Sequence, residues 1–176
     1  MNTGLEKKCA AIRLLATDVD GVLADGGIIY DGSGEELKRF NVKDGYICKY
    51  LRQAGIKLAV ITGRSSKAVQ RRAEELKFDY ILQGVAAKLE ALKEIAAREN
   101  LAPSQIAYIG DDLNDLEAIR YAGLSATPAD AFDYIANEVD YICTRKGGEG
   151  AFREFADLIL KHRNHEQNPG DSQAHL

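Results

Sequence analysis

The chain has 176 residues, 45% of them hydrophobic and 28% charged, with a formal net charge of −4. That composition suits one globular domain with a sizeable core and argues against non-specific nucleic-acid binding, which needs a strong positive field. No apolar run approaches the ~20 residues that span a bilayer, and Arg13 and Asp18 interrupt the apolar stretch near the N-terminus, so it does not read as a signal peptide. Cys9, Cys48 and Cys143 include no CxxC pair and read as thiols of a reducing, cytoplasmic compartment. His162, His165 and His175 all fall in the polar C-terminal stretch, which removes Ser-His-Asp hydrolases, histidine phosphotransfer enzymes and His-ligated zinc enzymes.

In chain order, IRLLATDV (12–19) is apolar and stops at Asp-Gly, as a buried strand does. Segment 26–41 is two short runs about a DGSG turn and predicts a β-hairpin. Asp44 reads as the N-cap of a helix through about Gln53, ended by Gly55. A buried strand over 56–62 is followed by a helix from about Ser65 to Leu76, a short strand over 80–83 and a helix from Ala86 to Glu99. A strand within 103–110 leads to a helix from Asp112 to Tyr121. Short strands near 124–126 and 141–143 and a helix from about Gly150 to Lys161 complete the pattern. This alternation predicts an α/β, Rossmann-like, doubly wound parallel sheet with a hairpin flap. The reading is one domain over 1–161 with a polar tail over 162–176.

In such a sheet, ligands bind outside the carboxyl ends of the strands, at the switch point. Asp18 and Asp20 follow the first strand, Thr62 the second, and Asp111, Asp112 and Asp115 the long later one, while Lys88 opens a helix between them. Crowded carboxylates need a cation, and an all-oxygen cluster suits a hard ion such as Mg²⁺. A cation, a lysine and a hydroxyl are what phosphoryl transfer requires. Two aspartates at i and i+2 are suited to divide the labour, Asp18 as the group to attack phosphorus and Asp20 to protonate the leaving oxygen and later activate water. Taken singly, each residue has a blander account. DxD is a common turn, Thr62 a strand-end residue, Lys88 a surface lysine and GDDLND an acidic helix start. Their joint order at strand ends favours chemistry.

DVDGV (18–22), ITGR (61–64), Lys88 and GDDLND (110–115) resemble the four motifs of the haloacid dehalogenase superfamily of phosphatases, over residues 12 to about 160. The resemblance implies that Asp18 is the nucleophile and Asp20 the acid/base. It implies that Thr62, Gly63, Arg64 and Lys88 meet the substrate, with Thr62 and Lys88 on the phosphoryl oxygens. Mg²⁺ would be held by Asp18, the Asp20 carbonyl and Asp111, with Asp115 supporting. The segments between Asp20, Thr62 and Lys88 are filled by the predicted elements and leave no room for a cap domain. Among capless members, 18–45 and RKGGEGAFREF (145–155) are similar to the phosphatases of 3-deoxy-D-manno-octulosonate 8-phosphate, tetrameric Mg²⁺ enzymes of lipopolysaccharide precursor synthesis whose hairpins and tails close neighbouring sites. Ala24 stands where Thr is common there, and Ala87 where a polar residue often precedes the lysine.

Arg64, Lys67 and Arg71 recur at i, i+3 and i+7 and share one helix face, suited to a sugar-acid carboxylate; for Lys67 and Arg71 a solvated basic face explains the pattern equally well. Relatives acting on nine-carbon, sialic-acid-like 9-phosphates tend to have Glu at the position of Arg64, which tilts the reading to the eight-carbon substrate. Three alternatives stand beside it: the nine-carbon substrate, a signalling receiver domain and a non-catalytic phosphatase-like regulatory module.

Overall fold

The computed structural model describes residues 3–167. The elements in chain order are α1 (Thr3–Ala11), β1 (Leu14–Thr17), β2 (Ile29–Tyr30), β3 (Glu36–Leu37), α2 (Val42–Gln53), β4 (Lys57–Ile61), α3 (Lys67–Glu75) and β5 (Tyr80–Leu82). They continue with α4 (Lys88–Glu99), β6 (Ile106–Ile109), α5 (Leu116–Tyr121), β7 (Leu124–Thr127), α6 (Asp133–Ala136), β8 (Tyr141–Ile142) and α7 (Ala151–Gln167). Six strands form one sheet in the order β5-β4-β1-β6-β7-β8, every pairing parallel.

Period-2 alternation sorts the strand side chains onto two faces. Leu15, Leu58, Val60, Ala107 and Ile109 meet α1, α2, α3 and α7 on one face, through Cys9, Leu51, Val69, Phe152, Phe155 and Ile159. Leu14, Ala16, Ala59, Ile61, Ile106 and Tyr108 meet α4, α5 and α6 on the other, through Leu92, Ile95, Ile119 and Ile135. Side chains such as Leu15, Ile61 and Phe155 are fully buried, each worth roughly 1.5–3 kcal/mol of transfer free energy. This is the expected doubly wound arrangement.

The chain runs outward from β1 through β4 to β5, then crosses back to β6 on the other side, so the switch point lies between β1 and β6. Thr17 is level with Val60 and Ile109, and the Asp18 amide donates to the Ile109 carbonyl at 3.1 Å. That register brings Asp18, Thr62 and Asp111 to one edge. Between β1 and α2 lies only the antiparallel pair β2–β3, with Ile29 opposite Leu37 and Tyr30 opposite Glu36. Asp31 organises its turn by accepting from the Ser33 and Glu35 amides and the Ser33 hydroxyl. No cap domain interrupts the described residues.

Several expectations shift. Helix α2 begins at Val42, capped by Asn41, whose side chain accepts from the Lys43 amide. Asp44 is a cap for a different helix: its Oδ1 accepts from the Arg153 amide at 2.8 Å, in the first turn of α7. Gly150, before α7, has no side chain to do this, so a neighbouring helix satisfies the free N–H. Helix α7 runs past Lys161 to Gln167 because no Pro or Gly intervenes before Pro169. The rest of the expected tail, 168–176 with His175, lies outside the described residues. Two helices had no counterpart in the expectation. α1 lacks a strong apolar face and gains its stability by packing on α7, and α6 is a single turn, too short to show a period.

Candidate active site

Asp18, directly after β1, is buried; its Oδ1 accepts from the Val19 amide at 2.7 Å, and its Oδ2 lies 2.7 Å from Lys88 Nζ. The turn that follows needs Gly21. Its φ is +83°, and a Cβ there would lie 1.9 Å from Asp111 Oδ2, so any side chain would displace the Asp111 carboxylate.

β6 ends at Ile109, and after Gly110 the expected helix over 112–121 opens instead as a 3₁₀ turn, Leu113–Asp115, before α5. The cause is Asp115. It is fully buried and accepts from the Asp111 and Asp112 amides at 3.3 Å each, the Tyr108 hydroxyl at 2.6 Å and Lys88 Nζ at 2.7 Å. Lys88, the first residue of α4, is completely buried at a helix end that disfavours cations. Burial alone would lower its pKa, but Asp18 and Asp115 outweigh burial and raise it.

One ammonium does not balance three carboxylates. Burial first, then Asp115, lifts Asp18 to about 6 against the pull of Lys88. Burial, then Asp115 and Asp18, lifts Asp111 to about 8. Oxygens of Asp18, Asp111 and Asp115 lie within 4.8 Å of one another. An all-oxygen set with surplus negative charge fits a hard divalent cation such as Mg²⁺. Asp18 and Asp111 of the expected set lie in this cluster, together with Asp115, which was expected to support them. The Asp20 carboxylate is outside the cluster, its expected contribution being the backbone carbonyl.

These raised values contribute to the pH response of the metal-free protein. Asp18 and Asp111 hold protons in the folded state that the unfolded chain releases near pH 4, so their contribution to stability is lost as pH rises through 6 to 8. A divalent ion competes with those protons. Thermal melts should therefore show a falling metal-free midpoint from pH 6 to 8, and a larger Mg²⁺-induced rise at pH 8 than at pH 6. Equal rises at both pH values would contradict this charge balance.

Over this floor opens a cleft of about 260 Å³, whose lining includes Asp18, Asp20, Thr62, Gly63, Arg64, Asp111, Asp112 and Asn114. Thr62 is pinned by its amide to the Leu82 carbonyl and by its carbonyl to the Val85 amide. Lys88 lies beneath the lining, against Asp18. Arg64 Nη2 is 3.3 Å from Glu36 Oε1 and 3.4 Å from the Tyr30 hydroxyl, so the flap already engages it. Lys67 pairs with Glu35 of the flap at 2.6 Å, and Arg71 with Glu75 of its own helix; the basic face thus divides, and only Arg64 of the three lines the cleft.

Sequence reasoning missed three residues here. Asn114 was legible inside GDDLND, and Tyr108 alternates with its strand neighbours as core. Lys38, which pairs with Asp20, carries no local signal, because its reach depends on how the hairpin folds back.

Residues 35–123 match the family model described as haloacid dehalogenase-like hydrolase. The chain is 46% identical over 154 residues to the 3-deoxy-D-manno-octulosonate 8-phosphate phosphatase KdsC of Yersinia pestis, covering 88% of this chain and 82% of that one. It is 43% identical over 153 residues to KdsC of Escherichia coli K12, covering 87% and 81%. A solved structure of the corresponding phosphatase from Moraxella catarrhalis, in complex with magnesium ion, phosphate ion and KDO, superposes with a TM-score of 0.91 at 45% identity, covering 95% of this chain and 96% of that one.

Proposed function

The chain belongs to the haloacid dehalogenase-like hydrolases, and from that premise we propose that it is a Mg²⁺-dependent phosphatase of 3-deoxy-D-manno-octulosonate 8-phosphate, acting on a lipopolysaccharide precursor. The observation that carries this reading is the Moraxella structure, a near-complete superposition that holds magnesium, phosphate and the eight-carbon sugar acid. A signalling receiver is set aside by the hydrolase family match.

Each residue has a task that its position supports. An Asp18 oxygen, at the floor of the cleft, attacks phosphorus; the new bond joins that oxygen to phosphorus as the bond to the sugar oxygen breaks. Asp20 gives its proton to the departing sugar oxygen, then takes one from the water that releases phosphate from Asp18. Thr62 and the Gly63 backbone border the phosphoryl group, and Lys88 neutralises Asp18 from below. Asp18 and Asp111, with the Asp20 carbonyl and Asp115, would hold Mg²⁺, which when bound would offset the charge of the phosphoryl oxygens against the carboxylates.

Arg64 is the candidate for the substrate carboxylate. Arg64→Ala should lower kcat/KM for the eight-carbon acid phosphate by about 1.5–3 kcal/mol, the scale of a hydrogen bond to a charged group, while hydrolysis of p-nitrophenyl phosphate changes little. Equal losses on both substrates would mean that Arg64 only braces the loop after Thr62. The reading as a whole is tested by comparing kcat/KM for the eight-carbon 8-phosphate with a nine-carbon 9-phosphate. Preference for the latter would transfer the assignment to it.

The assembly proposed is a homotetramer. Its support is the flap, where Ile28, Ile29, Tyr30 and Leu37 are all exposed on a two-stranded unit that is marginal alone. A fully active monomer by light scattering would contradict it. A cytoplasmic location is proposed from three buried free thiols. Among the described residues no helix is long and apolar enough to cross a membrane.

A further inference from the structure

The flap presents most of its residues to solvent, yet its Lys38 side chain is only 1% exposed. Lys38 Nζ donates to Asp20 Oδ1 at 2.5 Å and to Glu36 Oε1 at 2.9 Å. A buried ammonium is stable only when its partners are close and well placed, and here one partner is the acid/base of the proposed reaction. Asp20 Oδ1 is therefore occupied from the flap. Oδ2 lies on the side of Arg64, whose Nε is 3.9 Å away, and both residues line the cleft. Asp20 itself is 23% exposed in its side chain, enough freedom to rotate if nothing held it.

We propose that Lys38 is a positioning residue: by holding Oδ1 it presents Oδ2 of Asp20 to the reacting oxygen, so that proton transfer requires the flap to be seated. The inference rests on the phosphatase reading above. In the first half-reaction, the bond between Asp18 and phosphorus forms, the bond from phosphorus to the sugar oxygen breaks, and the Asp20 Oδ2 proton goes to that oxygen. In the second, water attacks phosphorus, its proton returns to Oδ2, and phosphate leaves Asp18. Lys38 is not among the residues that line the cleft, so it acts through Asp20.

The two steps separate with p-nitrophenyl phosphate, whose leaving group departs without protonation. In stopped-flow with the full chain and Mg²⁺, Lys38→Met should retain a burst of p-nitrophenolate approaching one per subunit at a near-wild-type rate. Its steady state should then be about 10²-fold slower, the scale of acid–base assistance, since the water step still needs Asp20. Turnover of the eight-carbon 8-phosphate, which needs Asp20 in both steps, should fall at least as far, without a burst. Lys38→Arg, which keeps charge and hydrogen bond, should recover both substrates to within about tenfold of wild type.

Steady-state rates of Lys38→Met within threefold of wild type on both substrates would overturn the proposal. So would joint loss of burst and steady state, the mark of a strut whose removal collapses the site. If Lys38→Met does not fold, Lys38→Ala carries the same test, because it too removes the donor to Asp20 Oδ1. A wild type that turns over p-nitrophenyl phosphate but not the sugar-acid phosphate would remove the substrate reading while leaving the burst comparison decisive. A wild type inert to both would remove the phosphatase reading and this inference together.

Discussion

Asp18→Asn should abolish phosphate release while leaving the fold intact. An amide is a poor nucleophile and a weaker ligand for a hard cation. The stability half of this expectation follows from the charge balance. Asp18 is held near 6 by burial and by Asp115, so its ionised form is strained in the metal-free fold, and a neutral side chain of the same shape relieves that strain. Lys88 keeps its contact with Asp115, so no buried ammonium is orphaned. The variant should melt no lower than the metal-free wild type at pH 8, by circular dichroism, with phosphate release at background. Residual turnover well above a contaminating background would contradict attack by Asp18.

Asp20→Asn should behave differently. Leaving-oxygen protonation and water activation are both lost, at a cost of roughly 10²–10⁴-fold in kcat for an alkyl phosphate. Phosphorylation of Asp18 by p-nitrophenyl phosphate needs no acid, so the variant should accumulate phosphoenzyme on that substrate, visible by intact mass after acid quench. An unchanged rate on the sugar phosphate would rule out the acid/base role. The substitution also deprives Lys38 of an anionic partner, leaving Glu36 alone to neutralise it, so some loosening of the flap should accompany the kinetic loss.

The strands and the site were legible for the same reason. Strand period and strand ends are local properties: LLAT, KLAVI and IAYI are short, apolar and bounded by polar turns, and parallel pairing then brings their carboxyl ends level. Asp18, Thr62 and Asp111 needed only that rule to be placed together. Asp115 was seen as part of a motif, but its depth was not, because four donors from β6, the loop after it and α4 decide it. Asp44 looked like a cap and is one, although for α7, across a distance no local pattern records. The start of α2 shifted because Asn41 offers an equally good cap nearer the flap. Lys38 was invisible because its partner, Asp20, is reached only through tertiary folding of the hairpin. Helix α1 has too even a surface to announce itself, and its stability comes from α7.

The most direct test is release of inorganic phosphate from 3-deoxy-D-manno-octulosonate 8-phosphate by the purified full-length chain, with Mg²⁺, after chelation, and after Mg²⁺ is restored. The account predicts catalytic turnover that stops on chelation and returns with Mg²⁺, faster in kcat/KM than for sugar phosphates without a carboxylate. Turnover indifferent to chelation, or no release from this substrate under conditions where p-nitrophenyl phosphate is hydrolysed, would contradict it.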